Sequence, residues 1–202
     1  ADGVESFNNR LMTFINMDDP GLKVLPTHRL LYGIEDFELE SFLEKAETDF
    51  KIKEFKDKEK MYNYLDQNKN KKVFGFKVSK NDKYYIFEFK NYNVLDKIEG
   101  DFSKAYKELD VSILHNIILE KYLGIDKKAL AAKSNLDYIR YRDKALKKLE
   151  DENYQAAFIL NPTSVQEVKK IADQGEKMPQ KSTDFYPKLL TGLVINKLSI
   201  KK

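Results

Sequence analysis

The sequence predicts an α+β fold, with a mixed or mostly antiparallel sheet and packed helices, and a two-lobed arrangement as one form of it. Three observations carry this expectation. Two aromatic-rich runs, "KVFGFKVS" and "YYIFEFK", are separated by the turn-forming "KNDK", which predicts a hairpin over Val73 to Lys90. "TSVQEVKKIADQG" has Thr163 or Ser164 as N-cap, Glu167 in capping-box position and Gly175 as C-cap, the signature of a bounded helix. Strand-like and helix-like segments also intermix without a strict βαβ rhythm.

From the amino terminus, "RLMTFINM" predicts a strand ended by the turn signal "DDPG", Asp18 to Gly21. "LKVLPTHRLLYG" follows, with Pro26 predicting an edge or a break in pairing. "IEDFELESFLEKAETDF" places Phe37, Leu39, Phe42, Leu43 and Ala46 near helical spacing, and "FKIKEF" alternates as a half-buried strand does. A short helix is expected over Asp57 to Gln67, with Met61, Tyr62 and Leu65 inward. After the hairpin, "FSKAYKEL" and "VSILHNIILEKYLG" predict helix from Asp101 to a stop at Gly124. "LDYIRY" reads as a strand, "DKALKKLEDEN" as a helix, "YQAAFIL" as a buried strand and "LLTGLVINKL" as a closing apolar strand. A weak boundary is expected near 91–100, dividing a strand-rich lobe, 1–95, from a helix-rich lobe, 96–202.

A chain of 202 residues buries a real core without staples. Its apolar runs are too short to cross a bilayer as a helix, and no signal-peptide pattern opens the sequence. Cysteine is absent, which excludes disulfide and thiolate chemistry and makes a cytoplasmic location the expectation. The net charge is only +3, and lysines are interleaved with acids, as in "KIKEFKDKEKM". That is a solvated face rather than a nucleic-acid stripe, so neither nucleic acid nor membrane is expected as a partner.

"GEKMPQKST" resembles a phosphate-cradling loop at first sight, but Gln180 stands where the second glycine is needed and the order is helix, loop, strand. What survives is a simpler anion site: the Lys181 ammonium beside Ser182 and Thr183, between Pro179 and Pro187. The plainer reading of the same residues is a proline-stiffened connector. In "LPTHRLL", His28 can act as acid or base and Arg29 can clamp an anion. On a strand His28 faces one side, and Thr27 with Arg29 the other. His115, inside "SILHNIIL", reads as a core or helix-surface residue. Asp18 and Asp19 could supply one or two carboxylates to magnesium, or serve only as turn chemistry. Zinc is not expected, with no cysteine and two histidines far apart.

"NMDDPGLKVLPTHRLL", the helix "ILHNIILEKYLGI" and "YQAAFILNPTSVQEVKKIADQGEKMPQKSTDFYPKLLTGLVI" together resemble the carboxyl-terminal part of a bacterial and archaeal family, domain of unknown function 1015, the block from Gly175 to Val194 being the specific part. The specific features are a G-E-x-M-P-x-K-S-T-x-F-x-P-K-x-x-x-G-L-V arrangement and the "DDPGL…LPTHR" block. The segment from Glu35 to Asn91 carries no residue-level match. Members of that family are usually about twice as long, with an "ADGHHR"-like motif similar to that of the ParB and sulfiredoxin superfamily, which includes nucleotide-using enzymes and a free-serine kinase. This chain opens "ADG", but Val4, Glu5 and Ser6 depart from the motif.

The resemblance implies that residues 1–202 are the carboxyl-terminal region of a longer protein, with its own amino-terminal domain as a partner. It moves Lys181, Ser182, Thr183 and Lys188 to the front as site residues, adds Glu176 as a group orienting Lys181 or holding a metal-bound water, and makes Thr27, His28 and Arg29 their partners. The expected function is part of a phosphate-handling, kinase-like enzyme acting on a phosphorylated small molecule or nucleotide with Mg2+. In it Lys181 and His28 are catalytic, Arg29 clamps an anion, and Asp18 or Asp19 holds the metal. The alternative is a non-catalytic binding, regulatory or interdomain-docking module built on the same loop.

Overall fold

The computed structural model describes residues 8, 12–125, 135–190, 192 and 195. Residues 24–184 form one compact unit, and residues 1–23 with 185–202 form a second. The strands are β1 (Lys23–Leu25), β2 (His28–Leu31), β3 (Phe50–Phe55), β4 (Val73–Val78), β5 (Tyr84–Phe89), β6 (Leu136–Ile139), β7 (Ala156–Leu160) and β8 (Asp184–Tyr186). The larger unit is built on a six-stranded sheet in the order β3-β5-β4-β7-β2-β6, and β1 and β8 make a separate two-stranded sheet. Every pairing within the large sheet is antiparallel. The fold is therefore α+β.

The helices are α1 (Leu39–Ala46), α2 (Lys58–Gln67), α3 (Lys104–Lys107), α4 (Asp110–Ile113), α5 (Arg142–Asp151) and α6 (Val165–Asp173). Their boundaries follow local chemistry. The Asp57 carboxylate accepts from the Glu59 N–H to start α2. Ser164 and Glu167 close a reciprocal capping box on α6. Gly124 and Gly175, both at positive φ, stand just beyond helical segments, where a side chain would be strained.

Two apolar cores sandwich the sheet. On one face Phe42, Phe50, Phe76, Phe87 and Phe158 pack with Ile113 to Leu119. Phe76 and Phe158 stack with centroids 4.6 Å apart. On the other face Met61, Tyr62 and Leu65 of α2 and Ala145, Leu146 and Leu149 of α5 cover Leu30, Ile86 and Ile159. The approach is close at Gly75 of β4, where a Cβ would lie 3.0 Å from the Met61 sulfur and 3.1 Å from Leu65.

The expected strand, helix and hairpin segments between residues 23 and 175 are all present, with β1 and β2 interrupted at Pro26 as anticipated. Three details differ. No strand forms over residues 12–17, where Met12, Phe14 and Ile15 are exposed. An apolar run without a pairing partner has no ladder to satisfy its backbone. The closing strand expected over "LLTGLVINKL" falls partly outside the described residues, and Leu189 and Leu190 are exposed and not in a strand. Finally, α4 runs on as a π-helical stretch, Leu114–Tyr122. Apolar periodicity does not distinguish that wider coil from an α-helix, since both present one apolar stripe. Strands from both sides of 91–100 share the one large sheet.

Candidate functional site

β2 is only four residues long, and its alternation decides the site. Leu31 packs in one core and Leu30 in the other, so Arg29 faces the side of the π-helical stretch and His28 the side of α2 and α5.

Arg29 is fully buried, at 0% exposure. Its Nη1 donates to the Thr27 carbonyl. Its Nη2 donates to the Lys181 carbonyl at 3.2 Å and lies 3.4 Å from Nε2 of His115. Its Nε is buried with no hydrogen-bond partner, and among the described residues no carboxylate pairs with the guanidinium. Burial pulls its pKa down to about 10, with Tyr138 acting in the opposite sense, so the group stays charged at neutral pH. Burial, then the Arg29 charge, lowers the His115 pKa to about 3, so that ring is neutral. The cation is thus wrapped in carbonyls, a neutral imidazole and an aromatic ring, the Tyr138 centroid lying 5.3 Å away.

The Lys181 loop meets this group from the far end of the chain. Lys181 adopts φ 61°, a left-handed conformation that non-glycine residues seldom hold. The turn is pinned around it: the Ser182 hydroxyl donates to the Pro179 carbonyl at 2.6 Å, and the Thr163 hydroxyl to the Ser182 carbonyl at 3.0 Å. In this arrangement the Lys181 carbonyl turns to Arg29, while its exposed ammonium sits 5.6 Å from the Tyr138 centroid. One tyrosine ring therefore carries two cations. Such a concentration of positive charge can hold an oxyanion and stabilise negative charge developing on it.

Of the residues anticipated from sequence, Thr27, Arg29, Lys181 and Ser182 come together in this way. Thr183 is half-buried next to them in the chain. His28 is on the other face, its Nδ1 accepting the Leu160 N–H at 3.2 Å. Burial, helped by the charges of Arg29 and Arg142, lowers its pKa to about 3. The Glu176 carboxylate accepts from the backbone N–H of Ser103 at 2.8 Å and from the Ser103 hydroxyl. It fastens the loop to the start of α3. Asp18, Asp19 and Lys188 belong to the other compact unit. There the Asp19 carboxylate accepts from the Gly21 N–H at 2.7 Å, an Asx turn. No cluster of metal-ligating side chains occurs among the described residues.

Sequence reasoning missed Tyr138, Thr163 and the part played by His115. Alternation in "LDYIRY" places Leu136 and Tyr138 on one face, but only the β2–β6 register, Arg29 opposite Tyr138, brings the ring to the guanidinium. His115 and Lys181 stand 86 and 152 residues from Arg29, separations at which no spacing rule operates.

Among solved structures, the chain is similar to a conserved hypothetical protein from Pyrococcus furiosus, at 16% identity and TM-score 0.47, over 85% of this chain and 59% of that one. It is also similar to a free serine kinase in complex with AMP, at 14% identity and TM-score 0.46, over 85% and 56%. A variant free serine kinase in complex with ADP gives 12%, TM-score 0.46, 86% and 57%. This chain thus spans less than three fifths of the length of each. No curated protein matches it. The model of the family described as "Protein of unknown function (DUF1015)" matches residues 1–112. That span includes "DDPGLKVLPTHR" and the segment 35–91, and ends before the Gly175 to Val194 block. More than half of the sequence is thereby matched, and the chain belongs to the DUF1015 family.

Proposed function

We propose that this chain carries the anion site of a phosphate-handling, kinase-like enzyme, and that the site is the junction of Arg29 with the Lys181 loop. The observation that carries this reading is Arg29 itself: a fully buried cation with no carboxylate partner among the described residues, bonded to the backbone of an exposed lysine. A buried charge without a counter-ion costs several kcal/mol, and an anion at the Lys181 ammonium would offset part of that cost through its field. Lys181 is the contact residue, stabilising phosphoryl oxygens as charge builds on them. Arg29 positions it by holding its carbonyl, and Thr183 supplies a neighbouring hydroxyl. The donor in the kinase-like form of this reading is a magnesium–nucleotide.

The test is thermal melting of the wild type and of Lys181→Ala with inorganic phosphate, AMP and ADP, each with and without magnesium. A ligand at 100 times its Kd stabilises by about 2.7 kcal/mol, a shift of several degrees for a unit of this size. The shift should appear in the wild type and vanish in Lys181→Ala. A shift that persists in the variant moves the anion elsewhere, and none with any compound overturns the reading.

A second reading, a docking module, is favoured by a separate observation: Phe14, Leu189 and Leu190 in the smaller unit are at least 60% exposed. Scattered exposed leucines are ordinary, but several large apolar residues in one small unit suit a contact with further polypeptide. Leu190→Glu would then weaken association with the rest of a longer chain, measured by co-purification of the two parts, and leave ligand melts unchanged.

A further inference from the structure

The face of β2 opposite Arg29 opens on a cleft of about 270 Å³, lined by His28, Asp66, Lys69, Arg140 and Arg142 over an apolar side made by Leu65, Ile159 and Pro162. Three cations, Lys69, Arg140 and Arg142, line it; Asp66 pairs with Lys69 and Arg142, and Asp184 with Arg140, which leaves one positive charge in excess. Both arginines are held in place: Arg140 Nε donates to Asp184 at 2.6 Å, and Arg142 Nη1 to Asp66 at 3.0 Å, with the Arg142 guanidinium 4.1 Å from the Tyr62 centroid. Fixed guanidinium forks lose little entropy on gripping an oxyanion.

His28 supplies a second, independent observation. It is 2% exposed, yet it lines the cleft. Its Nδ1 is taken by the Leu160 N–H, so the neutral ring carries its proton on Nε2, and among the described residues no group hydrogen-bonds that nitrogen. The ring is buried as a whole, but Nε2 is not among the fully enclosed unpartnered atoms, so it presents an N–H to the cleft that a ligand oxygen can accept. Burial beside Arg29 and Arg142 keeps the ring neutral at physiological pH, so it serves the cleft as a donor.

We propose that this cleft is a binding site for a small organic phosphate monoester, the phosphate held by Arg140, Arg142 and the His28 Nε2–H and the organic body lying on Leu65, Ile159 and Pro162. Two guanidinium groups and one N–H donor on a single cleft match the three terminal oxygens of a phosphate monoester better than the two of a carboxylate, and the cleft is at the small end of ligand sites. This site is separate from the Lys181 junction and does not depend on it.

The chain has two histidines, and they lie on the two faces of the sheet: His28 lines the cleft and His115 touches Arg29. Side-chain nitrogen NMR of the whole chain, titrated with phenyl phosphate, therefore reads both sites at once. The expected result is a saturable shift of the His28 Nε2–H signal that persists in Lys181→Ala, whereas a shift of His115 reports binding at the Lys181 junction. Arg142→Gln should weaken phenyl phosphate by about tenfold or more by calorimetry, the loss of one charge-assisted contact. Phenol and benzoate should bind at least about tenfold more weakly than phenyl phosphate, the first for want of charge and the second for want of a third oxygen. An unmoved His28 signal at saturating phenyl phosphate overturns the proposal, whatever the variant does. Benzoate binding as tightly as phenyl phosphate overturns the phosphate assignment, and inorganic phosphate binding as tightly overturns the role of the apolar side.

Discussion

Asp49 and Arg29 are both fully buried ions, and their surroundings are opposite. Asp49 lies between α1 and β3 and accepts from Lys121 at 2.6 Å, Asn91 at 2.7 Å and the Tyr122 hydroxyl. Burial pushes its carboxyl up, but these hydrogen bonds and the Lys121 charge outweigh it and leave the pKa below the ordinary value. Among the described residues Arg29 has no opposite charge beside it; it has one unpartnered nitrogen and a pKa pulled down by burial. A fully partnered buried ion is a brace. An unneutralised one keeps its desolvation cost, and the difference teaches why the proposed anion site is placed at Arg29 and not at Asp49.

The contrast breaks most visibly at the brace. Asp49→Ala should cost about 3 kcal/mol in urea unfolding, because it strands the Asn91 amide and the Tyr122 hydroxyl and leaves Lys121, on the π-helical stretch, without its carboxylate. A cost below about 1 kcal/mol would show that the burial of Asp49 contributes nothing net.

Acid should act next, and on the Arg29 side of the comparison. Below pH 6.5 the unfolded chain protonates both histidines, whereas His28 and His115 in the native state, held at about 3, stay neutral. Unfolding therefore takes up two protons. Asp110 opposes this: burial, against the pull of Lys72, raises it to about 6, so near pH 5 it is protonated when folded and releases a proton on unfolding. Net uptake near pH 5 is about one proton, and Asp49, Glu88 and Glu167, held below the ordinary carboxyl range, add to it at lower pH, so stability should fall by about 1.4 kcal/mol per pH unit from pH 6 to 5 and more steeply below. His115→Gln removes one uptake and should flatten the curve over that window, read from urea midpoints at stepped pH.

Arg29→Met sharpens the comparison. It removes an ion that has no carboxylate to strand among the described residues, though the Thr27 and Lys181 carbonyls lose a donor, so the cost should be about 1–2 kcal/mol, under that of Asp49→Ala. The lost bond to the Lys181 carbonyl should show instead as faster amide exchange over residues 179–183. Lys181→Ala should be within about 0.5 kcal/mol of wild type in the absence of ligand, since its ammonium is exposed, and should differ only when an anion is present.

Much of the fold was legible because its elements are specified locally. The hairpin at Val73 to Lys90, the Asp57 cap and the Ser164–Glu167 box each lie within a few residues of what they determine. Over its described residues, 12–17, the strand expected for "RLMTFINM" failed for the complementary reason: apolar patterning states that a segment can pair, but not that a partner strand is there. The site was half legible. Alternation separates His28 from Arg29, and the turn chemistry around Lys181 marks a fixed loop. Nothing near Glu176 in the sequence points to Ser103, and nothing near Arg140 or Arg142 points to a cleft.

The sequence by itself determined the α+β class, most element boundaries and the two blocks that hold the candidate residues, because capping, turn preference and side-chain period act over a handful of residues. Tertiary structure alone decided that Arg29 meets Lys181, His115 and Tyr138 while His28 joins Arg140 and Arg142. Those meetings follow from strand order and register in a sheet that interleaves distant segments, and from a core whose packing is set by every element at once.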